Sequence, residues 1–314
     1  MIGYILVGIF LLFRKQWIIA TSCFISTIIL FIFVNAQINL LNLNSANSPL
    51  LRRGVGGEVF GKGRGEVFGE GRGGVTIAQF NILMYNTNYS ATIQSALSSN
   101  ADLISFQEIN QKWADELEEN LKTEYPYYKL LPQEDLYGIG VFSKYPLENI
   151  DVLHFGNAPQ IAAEIYLKKA KQPNYSDKPG NCEKQTSPLR GEPERGIFFI
   201  TTHMYSPESY HNCILRDEQI ISIAKYLDSI PSPKFTIGDY NCVPWDVSII
   251  NFKKQSQLQD SRKSLCASFP AFFPPAMIPL DYIFYSKDVE CIEFKTIDNG
   301  DSDHKGIVGK YLIR

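Results

Sequence analysis

From residue 75 onward, short apolar runs recur, each closed by turn-forming residues: 75–83 (VTIAQFNIL), 101–109 (ADLISFQEI), 138–144 (GIGVFSK), 161–167 (IAAEIYL), 196–204 (GIFFITTHM), 234–241 (KFTIGDYN), 280–286 (LDYIFYS) and 304–313 (HKGIVGKYLI). They are rich in β-branched and aromatic residues, which predicts strands. Helical spacing of apolar positions is found between them, over Thr92–Ser99, Gln111–Thr123 and Leu215–Ser229; the last places Ile220, Ile223, Ala224 and Leu227 on one face. Strands interleaved with helices in this way predict an α/β domain, a sheet core flanked by helices.

Ahead of residue 75 the pattern changes. Residues 17–34 (WIIATSCFISTIILFIFV) run without a charge, close to the roughly 20 residues that an α-helix needs to cross a bilayer's hydrocarbon core, and are read as a transmembrane helix. The apolar stretch before it, Met1 to Phe13, ends in Arg14-Lys15 and is short for a second span. Three forms stay open: a helical hairpin turning at those charges, one long helix broken by them, and a signal peptide. The last is disfavoured by the apolar runs on both sides of the charges. Positive residues flanking a helix stay cytoplasmic, so the remainder of the chain is expected outside, in the periplasm or beyond.

Residues 37–74 read as a flexible linker, Asn-rich and then Gly-rich, with a tandem octapeptide: GEVFGKGR at 57–64 and GEVFGEGR at 65–72. The glycines match no phosphate-cradling G-x-x-x-x-G-K-[ST] pattern. A second low-complexity stretch, 168–196, reads as an exposed loop insertion. The organisation expected is therefore a membrane segment (1–36), a linker (37–74) and a single domain (75–314).

Charge narrows the function classes. The formal net charge of −3 hides an asymmetry, because seven Lys/Arg and three Glu lie in residues 1–74, leaving 23 basic and 30 acidic side chains in the domain. Nucleic-acid affinity is dominated by Lys and Arg neutralising phosphates, so duplex DNA is disfavoured as a substrate. Six cysteines show no C-x-x-C pair and no zinc-type spacing. Cys23 falls in the apolar segment, and the odd remainder gives no disulfide framework.

The informative polar residues sit at strand ends: Asn81, Glu108, His203, Asp239 with Asn241, Asp281, and Asp303-His304. Singly each has an ordinary explanation, since Glu after a strand starts helices and Asp before a strand closes turns. Their order carries more. The succession FN, QE, G-I-x-x-F-S-K-Y-P-L, TTH, GDYN, PLDYIF and SDH resembles the superfamily of endonucleases, exonucleases, sphingomyelinases and inositol-polyphosphate phosphatases over residues 75–314. Together with the N-terminal apolar segment, GDYNCVPWD and PAFFPPAMIPLDYIF, it is similar to the bacterial membrane-bound branch. The resemblance implies a four-layer α/β (α+β) sandwich of two mixed sheets packed face to face, with the site at one rim.

The chemistry of such a site follows from the substrate. A phosphodiester repels nucleophiles, so a hard divalent cation must polarise its oxygens, and carboxylate or amide oxygens suit Mg²⁺ or Mn²⁺. Glu108 is the candidate main metal ligand, with Asn81 beside it and Asp303 completing the sphere. Asp239 can position the attacking water, and Asn241, neutral at every pH, can donate to phosphate or water. His304 is a candidate general base or phosphate clamp. Its neighbour Asp303 would point to the opposite face of an extended strand, which leaves Asp281 to orient the ring, while His203 would face the phosphate from the other side. Some nucleases of the superfamily carry an acidic residue two positions after the strand-end Asn; here Leu83 stands there, and one metal is expected. The expected activity is hydrolysis of a phosphoester near a membrane, a lipid head group or small phosphoester. A membrane-tethered nuclease and a catalytically silent binding protein of the same fold are the alternatives. The aromatic stretch 269–279 is read either as a pocket wall or as core and turn.

Overall fold

The computed structural model describes residues 74–156, 158–167, 196–231 and 233–314. The membrane segment and linker expected before residue 74, and residues 168–195 of the expected insertion, lie outside these. Among the described residues no helix is long and apolar enough to cross a membrane.

The first half of the domain reads β1 (Gly74–Asn81), α1 (Tyr89–Ser98), β2 (Leu103–Gln107), α2 (Gln111–Leu121), β3 (Tyr127–Leu131), β4 (Ile139–Ser143), β5 (Leu147–Phe155) and β6 (Ala158–Ile165). The second reads β7 (Ile197–His203), α3 (Tyr210–Asp228), β8 (Lys234–Asp239), α4 (Val247–Ser256), β9 (Gln259–Asp260), a 3₁₀ turn (Pro274–Ala276), β10 (Asp281–Tyr285), β11 (Val289–Ile297) and β12 (Gly306–Ile313). Two six-stranded mixed sheets result, ordered β11-β12-β1-β2-β4-β3 and β5-β6-β7-β8-β10-β9.

Side-chain alternation along the strands builds the layers. Ile77, Leu103 and Val141 of the first sheet meet Ile161, Phe199, Phe235 and Ile283 of the second in one core. The opposite face of the first sheet, with Phe80, Ile104 and Phe106, is covered by Ile93 of α1 and by Trp113 and Leu117 of α2. The outer face of the second sheet, with Phe198, Ile200 and Phe284, is covered by Ile220 and Leu227 of α3 and Phe252 of α4. The result is an α/β sandwich of two mixed sheets flanked by helices. Helix starts are fixed by side chains: Asn110 accepts from Trp113 N (2.9 Å), Ser209 from Asn212 N (3.1 Å) and Asp246 from Ser248 N (2.8 Å). Each satisfies a backbone donor that the helix leaves open.

In each sheet one neighbouring pair is parallel, β1 with β2 and β7 with β8. Each pair is joined through a helix, and the carboxyl ends of both pairs open at the same end of the sandwich. On the face between the sheets, polarity rises toward that end: Ile77, Gln79, Asn81 on β1; Leu103, Ser105, Gln107 on β2; Phe199, Thr201, His203 on β7; Phe235, Ile237, Asp239 on β8. All twelve are buried.

Candidate active site

Asn81 ends β1, and its carbonyl is held by Asn299 Nδ2 (2.6 Å) and Ser302 Oγ (2.7 Å). Its side-chain Nδ2 donates to Glu108 Oε1 (2.8 Å) in the first sheet and to Asp239 Oδ2 (3.1 Å) in the second. Glu108 follows Gln107, which already points inward, so strict alternation would send it toward the helices. A left-handed backbone (φ 64) turns it back instead. That conformation is costly for a side chain with a Cβ and persists where the surroundings enforce it.

Asp239 ends β8 one residue after Gly238, whose backbone lies so close to the Thr202 carbonyl that a Cβ would overlap it. Only glycine fits there, which explains the GD of the GDYN run. Asp239 Oδ1 accepts from Asn241 N (2.8 Å), and Oδ2 is the meeting point of the site. Besides Asn81, His203 Nε2 lies 3.7 Å from it and His304 Nε2 3.6 Å. The His304 ring is held by a 2.8 Å hydrogen bond between Nδ1 and Asp281 Oδ2 and packs on Phe269, with centroids 4.8 Å apart. Asn241, in a left-handed turn (φ 47), donates Nδ2 to Met204 O (3.0 Å) and lies 3.4 Å from His203 Nε2.

Burial and proximity sort the ionisable groups. Burial, and then the charge of Asp281, push the Asp239 carboxyl up to about 6. Burial alone would depress the His304 ring, but Asp281 and Asp239 outweigh it and raise it to about 10. Asp281 is held below its ordinary value, because His304 outweighs the opposing effect of burial. Burial lowers His203 and raises Glu108. Two imidazoles on one carboxylate oxygen are thus pushed in opposite directions, one toward the charged and one toward the neutral form, a separation that marks acid and base roles.

The residues singled out in the sequence come together in one cluster, except that Asp303 sits in a bend rather than on an extended strand and one of its carboxylate oxygens is buried without a partner. Asp239, Asp281 and His304 each offer an atom within 4.8 Å of the others, a spacing open to a metal ion. The 2.8 Å bond between His304 and Asp281 leaves no room for an ion between those two atoms. Glu108 fits better: Oε2 receives only a long 3.4 Å contact from Met84 N, and its burial favours a neighbouring cation. The unpartnered Asp303 oxygen adds a second hard donor of the kind that suits Mg²⁺, and Asn81, which here turns Nδ2 to Glu108 and Oδ1 to Leu83 N (3.2 Å), would join them with its oxygen on flipping its amide.

Sequence reasoning missed Asn299 and Ser302, which clamp Asn81, and Gln79 and Gln107 beneath the site. For the glutamines a period-two reading offered a clue, since each is polar at an inward position of a strand whose inward face begins apolar, at Ile77 and Leu103. The stretch 269–279 divides. Phe269 lines the site, while Phe272 (79 %) and Phe273 (54 %) are exposed. Among the described residues the large apolar side chains more than half exposed are these two with Tyr85, Tyr210 and Val247. All five lie on loops or helix starts at the site's end of the sandwich. The loops there hold eight carboxylates against Arg262, Lys263 and Lys305, and Arg262 is itself buried, stacked on Tyr282.

A model of the endonuclease/exonuclease/phosphatase family matches residues 78–304. No curated protein matches the chain. Among solved structures, the fold is similar to a humanized Danio rerio TDP2 carrying 14 mutations (TM-score 0.58, 15 % identity, 76 % of this chain and 99 % of that one). It is also similar to the human Nocturnin catalytic domain with bound sulfate (0.59, 17 %, 77 % and 96 %). A third is an endonuclease/exonuclease/phosphatase family protein from Bacteroides thetaiotaomicron (0.58, 14 %, 77 % and 99 %).

Proposed function

Because the chain belongs to the endonuclease/exonuclease/phosphatase family and is a hydrolase acting on ester bonds, we propose that it hydrolyses a phosphodiester or phosphomonoester at a membrane surface by attack of water. The observation that carries this is the convergence of Asn81, His203 and His304 on one oxygen of Asp239. Asp239, with a carboxyl raised toward neutrality, orients the water and takes its proton, an assignment suited to a base working near its own pKa. His304, kept protonated by Asp281, donates to the phosphate as charge builds, and His203 with Asn241 binds a non-bridging oxygen from the other side. Family enzymes generally depend on a divalent metal. Glu108, Asn81 and Asp303 would hold a single Mg²⁺ or Mn²⁺, which when bound polarises the phosphoryl oxygens.

An acidic rim with five exposed apolar side chains supports a lipid head group over a nucleic acid. Polyanions need a basic track, whereas aromatic rings settle at membrane interfaces. The uncharged run at 17–34 and the charges of Arg14 and Lys15 support anchoring with the domain outside the cytoplasm. The test is Mg²⁺-dependent hydrolysis by the full chain of phosphatidylcholine vesicles, inositol phosphates, a single-stranded oligonucleotide and bis-p-nitrophenyl phosphate. Wild type is compared with Phe272→Ser/Phe273→Ser. The double variant is expected to keep diester turnover and to lose about tenfold or more on vesicles. Faster turnover of the oligonucleotide than of vesicles would move the reading to a tethered nuclease, and no metal-dependent hydrolysis of any substrate would sink it.

A further inference from the structure

Beneath the site a chain of buried polar side chains crosses from one sheet to the other. Gln79 on β1 is fully buried between the sheets, two residues before Asn81 and on the same face. A carboxamide is costly there unless its hydrogens find acceptors, and both do. Gln79 Nε2 donates to Asp281 Oδ1 in the opposite sheet (2.8 Å) and to Gln107 Oε1 in its own (2.6 Å). The acceptors fix which way the amide points, since the flipped form would set its oxygen against a carboxylate and a carbonyl. Gln107 is fixed in turn, because its oxygen is taken by Gln79. Its Nε2 donates to Ser105 Oγ (2.6 Å) and lies 3.4 Å from Thr201 Oγ1 of the second sheet. Ser105 and Thr201 are themselves hydrogen-bonded across the gap.

Gln107 turns its oxygen to Gln79 and its donors to Ser105 and Thr201, and Gln79 turns its own donors to Gln107 and Asp281. That carboxylate, on β10 of the second sheet, accepts from Gln79 on Oδ1 and from His304 Nδ1 on Oδ2, so both its oxygens are taken by residues of the first sheet and the turn into β12. With the plane of Asp281 set, the plane of the His304 ring is set, and Nε2 is aimed at Asp239 Oδ2.

We infer that Gln79, backed by Gln107, is a positioning residue that holds Asp281 in the one orientation in which it can direct His304 at the water-binding carboxylate. The inference rests on the hydrolytic reading of the Asp281–His304 pair. It assigns a function to two glutamines that touch neither substrate nor metal.

The experiment is a double-mutant cycle on the full chain with Mg²⁺ and bis-p-nitrophenyl phosphate. Gln79→Met keeps the length of the side chain and removes its donors. It is expected to lower kcat about 10-fold or more, with KM changed less than two-fold. In an Asp281→Ala background the same change is expected to cost nothing further, because residues that act through one another are non-additive. Equal losses in both backgrounds would make Gln79 a packing residue only and overturn the inference. Wild-type turnover in Asp281→Ala would instead remove the hydrolytic reading of the pair, and the inference with it. Should Gln79→Met fold poorly, Gln107→Met sits one bond further from the site and is expected to show a smaller loss with the same dependence on Asp281. A readout independent of turnover is the His304 Nδ1–H proton resonance. It is expected far downfield in wild type and shifted or broadened in both glutamine variants, and an unchanged resonance would refute the positioning role.

Discussion

Replacing Asp281 by Asn removes one charge from the centre of the site with almost no change in shape. The carboxylate is buried and holds His304 Nδ1 at 2.8 Å. Gln79 donates to its other oxygen, which forces the new carboxamide to present its oxygen to Gln79 and its NH₂ to the imidazole. The ring must then accept at Nδ1, carry its proton on Nε2 and stay neutral. Loss of the protonated form is expected to cost kcat about 10²-fold or more.

Stability gives a second, signed readout of the same substitution. His304 titrates near 10 in the fold against 6.5 without it, and at 1.36 kcal/mol per pKa unit the ceiling on this contribution is about 5 kcal/mol. Breaking a buried pair typically costs about 3–5 kcal/mol, so about 3 kcal/mol is a sober expectation. At about 2–4 °C per kcal/mol for a domain of this size, Tm in EDTA should fall by roughly 6–12 °C at pH 7. Because the folded pKa is raised, the stabilisation is complete below about pH 6.5 and fades as pH rises through about 10. The gap between wild type and variant should narrow over that window in thermal melts followed by circular dichroism. A variant within five-fold of wild-type turnover, or a gap that widens with pH, would refute the reasoning.

Glu108→Gln should abolish most turnover while leaving the melting temperature within a few degrees, since the amide still reaches Asn81 but no longer carries the charge that holds Mg²⁺; unaltered Mg²⁺ binding by calorimetry would take Glu108 out of the site. Burial raises the Cys242 thiol to about 12 and the Cys291 thiol to about 11, whereas Cys213 and Cys266 are partly exposed. Iodoacetamide at pH 8 should therefore label Cys213 and Cys266 and spare the other two until the protein unfolds. Equal labelling of Cys242 by peptide mass would contradict its placement.

The strands that carry the site were legible because they are buried on both faces and read as apolar runs ending in a single polar residue. β5, with most of its residues exposed, and β11, bulged at Cys291/Glu293, were not, since solvent-facing strands carry charges that mask alternation. α4 was hidden by its start at Asp246 inside the GDYNCVPWD run, and α3 begins at Tyr210, five residues before the expected Leu215. The expected partnership of Asp281 with His304 matches a 2.8 Å hydrogen bond, although the extended strand assumed at Asp303-His304 is a bend. The left-handed turn at Glu108 was not legible, because nothing in a Glu betrays a positive φ. Nor could one chain's sequence reveal Asn299, whose amide ties the carbonyls of Asn81 and His304 together and whose surroundings, DNGDSD, look like any polar turn.

The strand order holds one more consequence. β1 through β4 lie in the first sheet beside β11 and β12, while β5 and β6 lie in the second beside β7 through β10. A cut between β6 and β7 would therefore yield two interleaved pieces, each threaded through both layers. The earlier piece carries Asn81 and Glu108, and the later one carries both histidines with Asp239, Asn241 and Asp281. Neither piece holds the whole cluster of site residues, and each leaves both sheets short of strands, so the centre and the two layers are completed only by the chain as a whole.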